Sequence, residues 1–250
     1  AASDNIQDVL HDFIDNTLRY AEKEKELILS PVNMPPVDIP IKGHHVLIVT
    51  RGKNYKEDLK AIRSYIDEVR PIRIGVDGGA DALLEFGYQP DIIVGDMDSA
   101  SDSSLYQCRE IIVHAYPDGH APGMERIRKL GLSARVFPYP GTSEDVALIL
   151  AHENKAELIV TVGSHTNMID FLEKGRRGMA STFLVRMKVG YNVIDAKGVS
   201  ELYRNQFRPA YLAALFLAVL LPISMVARMS PLMQELYQLI TLRLKILVGL

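Results

Sequence analysis

The sequence contains a single cysteine, Cys108, among its 250 residues. One cysteine excludes an internal disulfide and fits a reducing compartment, and the chain has no cluster of Cys and His that would suit zinc. A basic surplus is also missing, because 28 Lys and Arg face 31 Asp and Glu, for a formal net charge of −3. A dedicated nucleic-acid binder needs a basic stripe, so we expect no nucleic acid among the partners.

Charge is absent from one long run, residues 209–227, which reads PAYLAALFLAVLLPISMVA. Its length is near the ~20 apolar residues that a bilayer-spanning helix needs, so 209–227 is a transmembrane candidate. The alternative is a buried helical hairpin, exchanged within a dimer. The chain also lacks an initiator Met and starts in a helical pattern, and we therefore expect that a region preceding residue 1 has been removed.

The pattern along the chain predicts four segments. Residues 1–30 form an amphipathic helix, with apolar residues at helical spacing from Ile6 to Leu18. Residues 31–43 are a proline-rich linker. Residues 44–203 alternate apolar strands with helices, which predicts βαβ units and a doubly wound, mostly parallel α/β sheet. Residues 204–250 are apolar helices.

The most informative stretch is 75–99, GVDGGADALLEFGYQPDIIVGDMDS. Asp77 follows one predicted strand, and Asp96 and Asp98 follow the next. The carboxyl ends of parallel strands are where open α/β sheets hold ligands, and oxygen ligands suit Mg²⁺ carrying a phosphorylated substrate. The structural alternative is that each aspartate caps a helix.

Two further loops extend this predicted site. Arg51, after the first strand, is placed to meet phosphate oxygens, with a solvated surface turn as the alternative. Gly141-Thr142-Ser143-Glu144-Asp145 opens a helix, and an N-cap explains most of that motif. After the fourth strand come His114, Tyr116 and His120, and histidines near turns are more often hydrogen-bonded structural groups than ligands.

The blocks DGGAD and PDIIVGDMDS, in this order and with a helix-length spacer, resemble the nucleotide-binding half of thiamin pyrophosphokinases. The resemblance implies that Asp77, Asp96, Asp98 and Ser99 hold Mg²⁺ and position ATP, with the turn glycines Gly78 and Gly79 beside them. Thr142 matches the family's Thr-Asp pair, whereas Ser143 replaces its aspartate and Asp145 lies two positions on.

The chain departs from that family after the sixth strand. The family has a Gly-Gly-Arg-x-Asp-His block there, and this chain keeps only Asp170, with Met168 for the arginine and Phe171 for the histidine. These changes delete a phosphate-gripping fork and a titratable group. No run of alternating strands follows residue 200, so the family's second, β-sandwich domain is not expected.

The whole chain is more similar to SteA-type proteins of Gram-positive bacteria, which are membrane-anchored proteins of the cytokinetic ring. The resemblance rests on FIDNTLRYAEKEKELIL, VHAYPDGHAPG, GTSEDVALILA, KGRRGMASTFLVRMKVG and DAKGVSELY, besides the stretch above. In the fourth of these, Arg176 and Arg177 at a helix start predict an anion cradle, with a basic surface turn as the alternative.

This resemblance implies a cell-division factor at the cell membrane, with a cytoplasmic α/β domain, a protein partner and a homodimeric state. The domain would bind Mg²⁺ and ATP or another phosphorylated ligand, or serve as a docking platform. The alternative is an active pyrophosphokinase that moves diphosphate from ATP to thiamin. A degenerate scaffold without a ligand is the third possibility.

Overall fold

The computed structural model describes residues 32–164, 179–198 and 209–248, with single positions at 15, 19, 22, 25 and 30. Two compact units divide the chain, 1–204 and 205–250. Most of the amphipathic helix predicted over 1–30 lies outside the described residues, although positions 15, 19, 22 and 25 are helical. Asp170, Arg176, Arg177 and the block 166–171 also lie outside them.

The first unit is a seven-stranded sheet in which every described strand pair is parallel. Its strands are β1 His45–Val49, β2 Ile72–Val76, β3 Ile92–Gly95, β4 Glu110–Ala115, β5 Arg135–Pro138, β6 Leu158–Val162 and β7 Val193–Asp195. Their order is β5-β4-β3-β2-β1-β6-β7, which reverses direction between β1 and β6. The predicted mostly parallel α/β sheet is therefore confirmed.

Helices cover both faces of this sheet. They are α1 Tyr55–Ala61, α2 Arg63–Val69, α3 Gly79–Glu85, α4 Asp102–Gln107, α5 Gly123–Lys129, α6 Ser143–Glu153 and α7 Met179–Val189. Helix α6 lies on the face formed by Val46, Ile48 and Ile74, and its residues 145–151 are all buried. Since the strands are buried on both faces, they read as continuous apolar runs in the sequence.

The second unit holds α8, Pro209–Met229, and α9, Pro231–Val248, separated by Ser230 alone. Among the described residues, no helix is both long and apolar enough to cross a membrane, so the transmembrane segment predicted over 209–227 is not found.

Candidate functional site

Asp77 and Asp96 meet where β2 and β3 end. The backbone N–H of Asp77 donates to the carbonyl of Val94 at 3.0 Å, which fastens the turn after β2 to the neighbouring strand. The N–H of Met97 donates to Asp77 Oδ1 at 3.2 Å, and the N–H of Asp98 donates to Asp96 Oδ1 at 3.1 Å. We call Asp77, Asp96 and Asp98 the carboxylate edge.

The backbone of the carboxylate edge adopts an uncommon conformation. Asp77 and Met97 have positive φ values of 47° and 67°. Non-glycine residues in this left-handed region cost free energy and concentrate at functional sites, where the surrounding structure holds them. Here the hydrogen bond from Met97 to Asp77 links the two positions.

Glycines let the loops of the carboxylate edge approach closely. A Cβ on Gly95 would lie 1.8 Å from Asp77 Oδ1, and a Cβ on Gly123 would lie 2.3 Å from the carbonyl oxygen of Asp96. A Cβ on Gly79 would lie 1.8 Å from the carbonyl oxygen of Val49 at the end of β1. The ends of β1 and β3 and the start of α5 therefore approach these loops backbone to backbone, and Gly95 packs against the Asp77 side chain.

Burial, followed by repulsion from Asp96, raises the pKa of Asp77 to about 7. Hydrogen bonds from the Met97 N–H and from the Ser143 hydroxyl oppose this rise in pKa without cancelling it. Two carboxylates that share a site cannot both ionise readily, so Asp77 is only about half ionised at neutral pH. A cation at this position would relieve the same repulsion.

Ser143, the first residue of α6, connects the carboxylate edge to His114 at the end of β4. His114 Nε2 lies 2.9 Å from the carbonyl oxygen of Tyr139, and a carbonyl only accepts, so Nε2 carries the proton. Nδ1 faces the Ser143 oxygen at 3.4 Å, while the single hydroxyl proton of Ser143 serves the hydrogen bond to Asp77. Burial lowers the pKa of His114, against the opposing effects of the Tyr139 carbonyl and Asp96. His114 is thus a hydrogen-bonded structural group.

The third predicted aspartate, Asp98, contacts Asp96 through its backbone N–H. Asp96, Asp98 and Ser99 are all exposed beyond β3. Within residues 32–164, 179–198 and 209–248, no group of three His, Cys, Asp or Glu side chains is close enough to hold a metal ion. Of the convergence expected of three aspartates, the side-chain interaction seen is that of Asp77 with Asp96, and Asp98 reaches Asp96 through its backbone N–H.

Arg51 lies across the glycine turn after β2. Its Cδ would be 3.1 Å from a Cβ on Gly78, and its Nη2 donates to Glu85 Oε1 at 2.5 Å. Glu85 also accepts from Tyr55 and pairs with Lys56. The guanidinium therefore sits beside the predicted site and is held by a carboxylate that the sequence reasoning did not include.

Thr142 and Asp145 form the predicted N-cap of α6. Asp145 Oδ2 accepts from the N–H and the hydroxyl of Thr142, both at 2.8 Å, and the Thr142 hydroxyl accepts from the Asp145 N–H at 3.3 Å. The same Oδ2 accepts from Thr182 of α7 at 2.6 Å. Burial raises the pKa of Asp145 to about 6. The structural interpretation of this motif is confirmed, and its oxygen is already engaged.

Two groups outside the predicted set have clear roles. Asp91 precedes β3, so it lies at the opposite end of the strand and binds Arg73 through Nε and the backbone N–H, both at 2.9 Å. Arg126 of α5 donates to the carbonyl of Met97 and, at 2.5 Å, to Asp102. Sequence reasoning missed Arg126 because its contact depends on where α5 packs, which no local motif signals.

Comparison with known proteins gives matches to two family models. Residues 63–120 match the family model for the thiamin pyrophosphokinase catalytic domain, and residues 197–248 match that for the SteA-like C-terminal domain. The 6-hydroxymethyl-7,8-dihydropterin pyrophosphokinase of Methanocaldococcus jannaschii is 34% identical over 111 residues, which are 41% of this chain and 44% of that protein. The chain thus spans less than half the length of this curated relative.

Two solved structures show weaker similarity. The thiamine pyrophosphokinase from Bacillus subtilis is 23% identical, with a TM-score of 0.35 over 60% of this chain and 58% of that one. The enzyme from Geobacillus thermodenitrificans is 21% identical, with a TM-score of 0.37 over 60% and 57%. It is the family models that confirm the two predicted resemblances: the chain carries a segment of the thiamin pyrophosphokinase catalytic type followed by one of the SteA-like C-terminal type.

Proposed function

We propose that the α/β unit binds Mg²⁺ together with a phosphorylated ligand of the ATP class at the carboxylate edge. The observation that carries this proposal is the meeting of Asp77 and Asp96 at the ends of β2 and β3, where burial and mutual repulsion raise the pKa of Asp77 to about 7. A pair of carboxylates that repel each other at neutral pH is suited to a divalent cation.

The residues fit this ion and this ligand. Mg²⁺ is commonly held by one or two carboxylates, while substrate phosphates and waters complete its shell. Asp77 and Asp96 supply the carboxylates, and exposed Asp98 and Ser99 flank them. Arg51, whose side chain lies beside the buried Gly78, would meet phosphate oxygens. The ion would supply charge neutralisation, and these residues would bind and orient the phosphates.

We extend the proposal to the biological role through the C-terminal match. A SteA-like C-terminal segment supports a cell-division factor with a protein partner, located at the cell membrane with its α/β unit in the cytoplasm. Exposed apolar side chains on α8 and α9 support contact with the membrane and homodimer formation through this unit. In this proposal the ligand-bound α/β unit acts as a docking platform.

The second candidate function is diphosphate transfer from ATP to an alcohol. It is favoured by one observation, the match of residues 63–120 to a pyrophosphokinase catalytic domain, alongside a relative named as a pyrophosphokinase of a hydroxymethyl pterin. The alcohol oxygen would attack the β-phosphorus, AMP would leave, and the alcohol proton would pass to a carboxylate. The changes at Met168 and Phe171 argue against thiamin as the acceptor.

The test is a thermal-shift measurement with Mg·ATP on the full chain and on Asp77→Asn and Asp96→Asn. A ligand that binds only the native state at 100 times its Kd stabilises it by about 2.7 kcal/mol, or about 5–10 °C for a chain of this size. We expect that shift for the wild type and for Asp67→Asn, an exposed aspartate of α2, and its loss in both site variants.

Two results separate the candidates. AMP release that depends on thiamin or on 6-hydroxymethyl-7,8-dihydropterin would establish the transfer reaction, whereas a shift without AMP release supports binding alone. A shift with Mg·ATP that survives both Asp77→Asn and Asp96→Asn would place the ligand elsewhere and contradict the proposal.

A further inference from the structure

A rigid loop after β4 presents two parallel aromatic rings to solvent. The rings of Tyr116 and His120 lie 6.0 Å apart between centroids, with an interplanar angle of 4°. The Tyr116 N–H donates to the His120 carbonyl at 2.9 Å, and the Gly119 N–H donates to the Tyr116 carbonyl at 2.8 Å. Asp118 Oδ1 accepts from the His120 N–H at 2.9 Å. We call residues 116–120 the aromatic loop.

The aromatic loop does not serve the hydrophobic core. Tyr116 is 61% exposed, and His120 is exposed as well. The apolar core on this side of the sheet is formed instead by Ile111, Val113 and Ile127. Three internal hydrogen bonds hold the backbone positions from which the two parallel rings project, and such preorganisation favours a stacking surface.

Strand register places the aromatic loop next to the carboxylate edge. Gly95 of β3 pairs with Val113 of β4, so Asp98 and Tyr116 each follow that pair by three residues on adjacent parallel strands. Beyond the aromatic loop, Gly123 packs against the carbonyl of Asp96. The aromatic loop thus begins beside the carboxylate edge, and the chain after it returns to that edge. A nucleotide whose phosphates lie at Asp77 and Asp96 could therefore reach the aromatic pair.

We propose that Tyr116 and His120 stack on a planar heteroaromatic ring of the phosphorylated ligand, either a nucleobase or the ring of a pterin-like acceptor. Stacking suits an exposed aromatic pair because every such ring offers a π-face, and each ring–aromatic contact contributes substantially to affinity. This inference rests on the proposed function and deepens it, since it adds a ring-recognition subsite to the phosphate site.

Calorimetric titration of the full chain with three probes tests the subsite. The probes are Mg·ATP, which has phosphates and a ring; Mg·tripolyphosphate, which has phosphates alone; and 6-hydroxymethyl-7,8-dihydropterin, which has a ring alone. Tyr116→Ala removes the ring surface, and Tyr116→Phe keeps it. Tyr191→Ala is the matched control, because Tyr191 is also exposed, at 83%, and also touches a histidine, His152, but edge-on at 77°.

We expect Tyr116→Ala to weaken Mg·ATP binding about 10-fold and to leave the Kd of Mg·tripolyphosphate within about twofold, with Tyr116→Phe and Tyr191→Ala like the wild type. That result assigns the subsite to the nucleobase. Loss of pterin binding in Tyr116→Ala with Mg·ATP unchanged assigns it to the acceptor ring, and both results support the subsite.

Other outcomes overturn it. Equal weakening of Mg·ATP and Mg·tripolyphosphate would show that the loop acts on the phosphates or on the fold, and unchanged affinity for every probe would show that the rings contact no ligand. A wild-type chain that binds neither phosphate probe would remove the proposed phosphate site itself, and the subsite with it. Binding of Mg·tripolyphosphate to the wild type is therefore measured first. It distinguishes failure of the proposed phosphate site from failure of the ring subsite alone.

Discussion

A buried carboxylate two residues into α6 makes the stability of the α/β unit sensitive to pH. Asp145 is fully buried, and its Oδ1 has no hydrogen-bond partner, while Oδ2 accepts from Thr142 and Thr182. Burial is the largest influence and raises the pKa from 3.8 to about 6. The fold therefore prefers the protonated form more than the unfolded chain does.

The sign of the effect follows from that preference. Protonated Asp145 contributes to the free energy of unfolding. This contribution is fully present below the unfolded pKa of 3.8 and is lost as pH rises through about 6. The raised pKa corresponds to a loss on the order of 2–3 kcal/mol across that window. Asp145→Asn cannot titrate, yet its amide oxygen can still accept from Thr182.

We therefore expect the free energy of unfolding of Asp145→Asn, measured relative to that of the wild type, to increase by on the order of 2 kcal/mol from pH 4 to pH 7. Urea unfolding at several pH values measures this difference, in which the titration of all other groups cancels. A difference that stays constant with pH would instead mean that Asp145 stays ionised down to its ordinary range.

At the scale of elements, the site depends on how closely the loop after β2 approaches the end of β3. Gly95 ends β3, and a Cβ there would lie 1.8 Å from Asp77 Oδ1 and 2.3 Å from its Cγ. Because Asp77 is held by Met97 on one side and by the Val94 carbonyl on the other, its carboxyl group cannot shift without breaking the turn.

Gly95→Ala should therefore displace the Asp77 carboxyl group from Asp96 and lower stability by about 1–3 kcal/mol, as overpacking does. The expected readout is a lower melting temperature and loss of the Mg·ATP thermal shift. Gly190→Ala is the control, since nothing lies within 4 Å of its added Cβ. If Gly95→Ala keeps the full Mg·ATP shift, the position of the Asp77 carboxyl group does not matter for the ligand.

The elements also show which parts of the fold a sequence can predict. Strands β1 to β6 were predicted because each is a short apolar run that parallel sheets bury on both faces. The sequence pattern predicts one helix from Leu59 to Val69, whereas the chain forms two, α1 and α2, which meet at Ile62 with φ −98° and ψ 12°. Helix α4, with the sequence DSSLYQ, has no apolar periodicity, and β7 is only three residues long. Neither was predicted.

The site was predictable to the same extent. Asp77 and Asp96 were identified because the end of a parallel strand is a local feature of the sequence. The contact of Ser143 with Asp77 and His114 could not be identified from the sequence, because it depends on α6 crossing to the opposite face of the sheet. The position of Asp98 depends on one backbone angle, the positive φ of Met97, and no residue type near it signals that angle.

At the scale of the whole molecule, the two units differ in how much of their surface is buried. The first unit has continuous cores on both faces of its sheet. In the second unit, large apolar side chains are exposed along both helices, including Phe216 at 71%. Exposed apolar patches of this extent mark surfaces that bind a partner or a lipid surface. The folding of the first unit should therefore not require residues 209–250.

Removal of 209–250 should leave an α/β unit whose melting temperature lies within about 4 °C of the wild-type value, which corresponds to about 1–2 kcal/mol for a domain of this size. The shortened chain should also keep its full Mg·ATP shift. Light scattering should show a monomer for the shortened chain and a larger, detergent-sensitive species for the full chain, because the shortened chain lacks the apolar surface of α8 and α9.

A full-length variant with Phe216→Glu and Leu220→Glu, both exposed on α8, should behave like the shortened chain. If the shortened chain unfolds at room temperature while the doubly charged variant stays folded, residues 209–250 belong to the core of the first unit, and association through their apolar surface is refuted.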